Sequence, residues 1–259
     1  MIESITSLTS VSREYIISAI MKTKYSIIAT LVFVIFIFLL TSCTSLYNTG
    51  RSGKRSYSEA LDGIRVACVG DSITYGYGIS DWSENNYPAL LQELLGDGYI
   101  VNNYGVSGAS VQTDSNKPYV NRKEYRDSLE FQPEIVIFMM GSNDSKPFNW
   151  KGSKAFRNDY IALLDSYGDS EFILCTIAKA YFKDNKAKSE TSFRIQPEIV
   201  DEIADIIREV AKEKGLPLID IHEMTSSHPE WYISDSVHLN RDGAAAVAAA
   251  VREKLQALN

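Results

Sequence analysis

Histidine and cysteine are scarce in this chain, with three of each among 259 residues. So few thiols cannot build a disulfide framework, and no Cys and His cluster has the spacing of a metal site, so no bound metal is expected. Basic charge is also short. Lys and Arg total 26 against 33 Asp and Glu, a net charge of −7. That sign makes the chain a poor grip for nucleic acid and favours neutral or cationic small molecules as partners. Residues 61–259 lack internal repeats and low-complexity tracts. The one long apolar run, residues 26–40, is uncharged but short for a membrane-spanning helix of about 20 residues.

That apolar run follows Lys22 and Lys24, the layout of a secretory signal. Leu40, Thr41, Ser42 and Cys43 come directly after it and resemble the lipobox of bacterial lipoproteins, in which cleavage leaves a lipid-modified cysteine as the first residue. The resemblance implies lipidation of Cys43 and an exported protein anchored in the cell envelope. An uncleaved single-span anchor, or ordinary signal cleavage nearby, are the alternatives. Met21 opens a conventional signal peptide by itself, so residues 1–20 fit an upstream extension from a misplaced start codon. Residues 1–42 are thus read as a leader and residues 43–60, rich in Ser, Gly, Thr, Arg and Lys, as a tether. Residues 61–259 are read as one folded domain.

Within that domain, apolar runs at residues 66–69, 99–103, 134–140, 171–177 and 217–221 have the near-continuous character of strands covered on both faces. Helical patterns lie between and after them, at 87–95, 119–130, 155–167, 198–214 and 242–258. In the fourth, Ile199, Ile203, Ile206, Ile207 and Val210 share one face, with Asp201, Glu202, Asp205 and Glu209 away from it. The alternation predicts an α/β fold: a five-stranded parallel sheet with right-handed crossovers and helices on both sides. Cys68 and Cys175 fall in the first and fourth runs and are expected to be free, buried thiols on non-adjacent strands.

Ser72 ends the sequence Val66, Ala67, Cys68, Val69, Gly70, Asp71, Ser72, which places a hydroxyl at the carboxyl edge of the first strand. Alone, such a serine also fits a helix N-cap or a turn. As a nucleophile it needs a base, and the base needs an orienting partner. Of the three histidines, His222 follows the fifth strand and suits a structural loop, and His228 stands before Pro229 in a turn context. His238 lies three residues after Asp235, close enough for carboxylate and imidazole to share one turn. Donors for a developing oxyanion are a backbone N–H beside Gly108, where no Cβ obstructs approach, and the uncharged amide of Asn143. All of these residues follow expected strand ends, where sites form in parallel sheets.

Four blocks together resemble the SGNH hydrolases, also called GDSL esterases and lipases. They are Gly70, Asp71, Ser72, Ile73, Thr74; Asn102, Asn103, Tyr104, Gly105, Val106, Ser107, Gly108; Gly141, Ser142, Asn143, Asp144; and Asp235, Ser236, Val237, His238. The resemblance implies a three-layer α/β/α, flavodoxin-like fold and a Ser-His-Asp hydrolase that uses no metal or cofactor. It assigns Ser72 as nucleophile, His238 as base, Asp235 as acid, and Ser72, Gly108 and Asn143 to the oxyanion hole, with Gly105 as a second register. Leu239 stands where many members have proline.

Aromatics crowd the expected loops: Tyr75, Tyr77, Trp82, Phe148, Trp150, Tyr181, Phe182, Trp231 and Tyr232. Ring faces stack on sugar C–H surfaces, so Tyr75, Trp150 and Trp231 are the candidate substrate contacts and a glycan ester the expected substrate. The polar segment 180–192, with Lys183, Lys186 and Lys188, does not suit the acyl channel of a lipase, lysophospholipase or thioesterase. A noncatalytic glycan-binding lipoprotein remains the reading from another class, and the presence of both Asp235 and His238 speaks against it.

Overall fold

The computed structural model describes residues 63–181 and 191–258. The leader, Cys43 and the tether lie outside the described residues, as do Phe182, Lys183, Lys186 and Lys188.

Alternation of side chains along the strands builds the layers. In β1 (Ile64–Gly70), Val66 and Cys68 join one buried cluster and Ala67 and Val69 the other, as the two-residue period of a strand requires. The same division runs through β3 (Ile135–Met139), where Ile137 and Met139 oppose Val136 and Phe138. In β4 (Glu171–Cys175), Ile173 and Cys175 oppose Phe172 and Leu174. Strands buried on both faces need helices on both faces, and the three-layer arrangement follows.

β2 (Tyr99–Gly105) and the short β5 (Leu218–Ile219) complete a parallel sheet in the order β2-β1-β3-β4-β5. This is the flavodoxin-like order, and the switch point between β1 and β3 is where ligands bind in such sheets. Cys68 and Cys175 are free and buried, with β3 between their strands. Burial pushes the pKa of the Cys175 thiol up to about 12.

Among the described residues, eight α-helices follow in chain order: α1 (Ser72–Tyr75), α2 (Trp82–Asn85), α3 (Tyr87–Leu95), α4 (Lys123–Glu130), α5 (Ser153–Asp165), α6 (Pro197–Lys214), α7 (Ile221–Ser226) and α8 (Arg241–Leu258). Leu90 and Leu91 of α3 pack with Val247 and Val251 of α8 on one side of the sheet. Phe156 and Tyr160 of α5 pack with Val200, Ile203 and Ile207 of α6 on the other. Proline suits the first turn of a helix because that N–H has no intrahelical partner, and Pro197 opens α6.

Two elements are shorter than the pattern suggests. The expected helix 119–130 is a 3₁₀ turn at Tyr119–Asn121 followed by α4, because Arg122 takes an extended conformation between them. Tyr119 is fully buried and its hydroxyl donates to Tyr104 O at 2.8 Å, which holds that turn against the core. The fifth strand stops at Ile219 because the Asp220 carboxylate accepts the N–H of Glu223 and starts α7.

Candidate active site

The nucleophile position arises from a cap. Asp71 directly follows β1, and its carboxylate accepts the Ile73 N–H at 3.0 Å, starting α1 with Ser72 as the first helical residue. The N-cap reading of this serine is corrected: Asp71 is the cap, and Ser72 is held beside it at the strand end. α1 lies directly on the end of β2, where a Cβ on Gly105 would fall 2.3 Å from Tyr75 N. Gly105 is thus a packing glycine, and its N–H donates to Asn103 Oδ1 at 2.8 Å.

Gly108 has the other role a glycine can play. Val106 O accepts the Ala109 N–H at 3.0 Å, closing a turn whose third residue, Gly108, has φ of 81°. That left-handed position favours glycine. A Cβ there would meet only Lys117 Cδ at 3.7 Å, so space is open above it. The turn is clamped by Lys117, whose Nζ donates to Ser107 O at 2.7 Å.

Asn143 sits in the 3₁₀ turn Ser142–Ser145 after β3. One amide N–H donates to Ala109 O at 3.0 Å, and Asp71 Oδ2 lies at 3.5 Å, too long for a strong bond. An amide has two donors, so one orients the group and the other is available to the pocket. Asn149 Nδ2 donates to Asn143 O at 2.8 Å from below.

The next residue, Asp144, joins the two loops. Its carboxylate is fully buried and accepts the N–H groups of Val111 and Gln112 at 2.9 and 2.8 Å. It ties the segment after Gly108 to the turn that carries Asn143. Burial pushes its pKa up to about 7 against those two hydrogen bonds. Asp144 stands in the third quoted block, and only its spacing to Asn143 is visible there, not this tie.

The histidine reaches the serine from the far end of the chain. His238 Nε2 is 2.8 Å from Ser72 Oγ, and Nδ1 is 2.7 Å from Asp235 Oδ2. Asp235 Oδ1 accepts the N–H groups of Val237 and His238, both at 2.9 Å, a turn in which Ser236 is left-handed with φ of 63°. Burial acts to raise the Asp235 pKa, and the bonds from the His238 ring and the two N–H groups outweigh it, holding the carboxyl below the usual carboxylate range. Ser72 and His238 are both buried. The arrangement suits proton removal from Ser72 Oγ by Nε2, with Asp235 fixing the proton on Nδ1.

The remaining histidines are elsewhere. His222 is in α7 rather than a loop and is buried, with Nε2 2.8 Å from Asp201. His228 pairs with Glu230 at 2.7 Å and stacks on Trp231 at 3.8 Å between ring centres.

Ser72, Gly108, Asn143 and His238 line one cavity of about 80 Å³, together with Ile73, Tyr77, Ser107, Ser142, Lys146, Phe193, Ile195 and Val237. Tyr75, Trp150 and Trp231 do not line it. Tyr75 stacks on Trp82 at 4.3 Å, Trp150 packs near Phe156 at 6.0 Å, and Trp231 is stacked on His228. Their rings have protein partners already. The aromatic frame is instead Tyr77 and Phe193, at 4.6 and 5.3 Å from the His238 ring and edge-to-face with each other at 5.8 Å. Both are exposed, at 42% and 50%. Phe193 lies far from every motif and carried no sequence signal.

Residues 68–246 match the family described as GDSL-like Lipase/Acylhydrolase. The chain belongs to the GDSL-like lipase/acylhydrolase family. An acetylxylan esterase from Xylanibacter ruminicola is 36% identical over 204 residues, which cover 72% of this chain and 42% of that protein. The chain thus spans less than half the length of that relative. Solved structures with the same fold include a carbohydrate acetylesterase from Sinorhizobium meliloti, at 17% identity and a TM-score of 0.62. The M. smegmatis aryl esterase is similar at 15% identity and a TM-score of 0.61. Each match covers 76% of this chain and 100% of the other. At these identities the likeness is one of fold, and it places this GDSL-like chain in the α/β class read from its strand runs.

Proposed function

We propose that the protein is a serine esterase that removes acetyl groups from carbohydrate. Ser72 Oγ attacks the ester carbonyl while His238 Nε2 takes its proton, and Asp235 keeps the imidazolium oriented. The tetrahedral oxyanion faces the N–H groups of Ser72 and Gly108 and the free N–H of Asn143, each such donor supplying about 3 to 4 kcal/mol. Collapse breaks the bond to the alcohol oxygen, which leaves with the proton from His238. Water, deprotonated by His238, then releases acetate from Ser72.

The observation that carries the acyl assignment is the size of the cavity. That volume is about 80 Å³. It is roughly half of a cavity that holds benzene. An acetyl group suits that space and a long acyl chain does not. The exposed faces of Tyr77 and Phe193 at the mouth supply the apolar surface that a sugar ring stacks on. The acetylxylan esterase relative supports the same substrate class.

A chain-length series of p-nitrophenyl esters tests the assignment. Acetate is expected to give the highest kcat/KM, with a steep fall by butyrate, and a preference for octanoate would overturn it. Export and anchoring through Cys43 belong to the same proposal, supported by the apolar run and the four residues that follow it. Intact mass of the membrane-extracted protein tests this part, and a chain retaining residues before Cys43 would sink it.

A further inference from the structure

The cavity at Ser72 contains a cation that the ester chemistry above does not use. Lys146 directly follows the turn bearing Asn143, and its side chain lines the cavity with Ser72, Gly108 and His238. It is part-buried, yet its ammonium has no hydrogen bond or ion pair among the described residues. Lys123, Lys151, Lys179 and Lys214 each meet a carboxylate. The nearby acids do not neutralise Lys146 by contact. Asp71 is buried behind the nucleophile on the Ile73 N–H, and Asp144 is held by Val111 and Gln112. Lys146 thus offers a cation at the cavity wall to an anionic group that enters.

Three further features of the same wall point the same way. Ser107 Oγ and Ser142 Oγ are buried without hydrogen-bond partners, and both residues line the cavity. The Ser142 hydroxyl is near enough to Asp71 to favour its ionised form but lacks hydrogen-bonding geometry to it. Lys117, anchored on Ser107 O, adds a second positive charge beside Gly108 and repels Lys146 electrostatically. The chain as a whole is acidic, at −7, and its balance favours neutral or cationic partners. At this cavity two lysines stand against that balance, with Asp71 and Asp144 the acids that act on Lys146, and local charge in a cleft decides what enters.

We infer that Lys146 is a specificity-determining residue that receives a carboxylate beside the scissile ester, so that the acetylated sugar taken by this site is an acidic one, such as a uronate. The inference rests on the esterase reading of Ser72. An acetyl group occupies the small cavity, so the carboxylate belongs to the alcohol half of the ester.

The test is steady-state kinetics of the full chain and of Lys146→Met and Lys146→Arg. The substrates are a mono-O-acetylated methyl glucuronide, the matching acetylated methyl glucoside, p-nitrophenyl acetate and p-nitrophenyl hemisuccinate. For Lys146→Met, the ratio of kcat/KM on the uronate to that on the glucoside is expected to fall about 10- to 100-fold, mainly through KM. Lys146→Arg keeps the charge and is expected to restore most of the ratio, which separates lost charge from lost packing. Added salt is expected to lower the wild-type ratio. Equal losses on all substrates would put Lys146 at the oxyanion and overturn the inference. A Lys146-dependent preference for hemisuccinate would move the carboxylate to the acyl side and overturn the acidic-sugar assignment. An active protein indifferent to Lys146→Met would fail the inference alone, whereas a wild-type chain inert on every ester would fail the esterase reading with it.

Discussion

His238 Nε2 lies 2.8 Å from Ser72 Oγ although 166 positions separate the two residues in the chain. The other contact of the same imidazole, 2.7 Å to Asp235, spans only three positions. The second bond is made by a local turn. The first exists only when β1, with α1 at its end, and the segment leading into α8 are both packed on the sheet.

Replacing Ser72 by Ala is expected to lower kcat by roughly 10⁴- to 10⁶-fold while the unfolding temperature stays close to that of the wild type. Asp235→Asn is expected to cost about 10⁴-fold in kcat, because an amide can donate to Nδ1 and favour the wrong tautomer. Hydrolysis of p-nitrophenyl acetate with circular dichroism melts checks both. Turnover retained by Ser72→Ala would remove the serine from the mechanism.

The two glycines of the second block should respond differently. Gly105→Ala places a Cβ 2.3 Å from Tyr75 N, so the backbone must shift, and a loss of about 1 to 3 kcal/mol in urea unfolding is expected. Gly108→Ala meets open space but strains a left-handed residue by about 1 to 2 kcal/mol. Its main effect should be on kcat as the N–H turns away. Matching effects of the two substitutions on stability and on kcat would show that Gly108 has no special place in the site.

Asn143→Ala removes one donor from the pocket and is expected to lower kcat about 10²- to 10³-fold with little change in KM. The lost bond to Ala109 O also frees the turn at Gly108. A selective rise in KM would instead assign Asn143 to substrate binding.

Asp144 should make stability fall as pH rises. Its carboxyl titrates near 7 in the folded protein against about 3.9 in an unfolded chain. The folded state therefore holds the proton more tightly, a contribution fully present below about pH 4 and lost as pH rises through 7. Asp144→Asn cannot ionise. The stability of the wild type relative to this variant is expected to decline between pH 4 and 8, as read by urea unfolding at several pH values. A difference that stays level or grows over that interval would refute the assignment.

Much of this architecture is legible in the chain because its causes are local. Strands buried on both faces must be apolar at successive positions, so Val66 to Val69 and the residues of β3 and β4 stand out. Asp235 and His238 can be paired by spacing because one turn joins them. Tyr75, Trp150 and Trp231 show the converse: nearness to a motif does not say which way a ring faces, and all three pack on other rings of the protein.

The sequence by itself determined the parallel α/β class, the order of the four motif blocks, and the side-chain types they carry, a serine, an asparagine, an aspartate and a histidine. These are properties of short segments, where hydrophobic period, turn chemistry and side-chain type act within a few residues. Only the tertiary structure set Gly105 against α1 and left open space above Gly108, put Tyr77 and Phe193 rather than Tyr75, Trp150 and Trp231 in the cavity lining, and joined Asp144 to the loop after Gly108. It also brought Lys146 into the lining of the cavity that holds Ser72. Each of those depends on which surfaces meet when distant segments pack, a relation set by the summed burial of the two clusters rather than by any one segment.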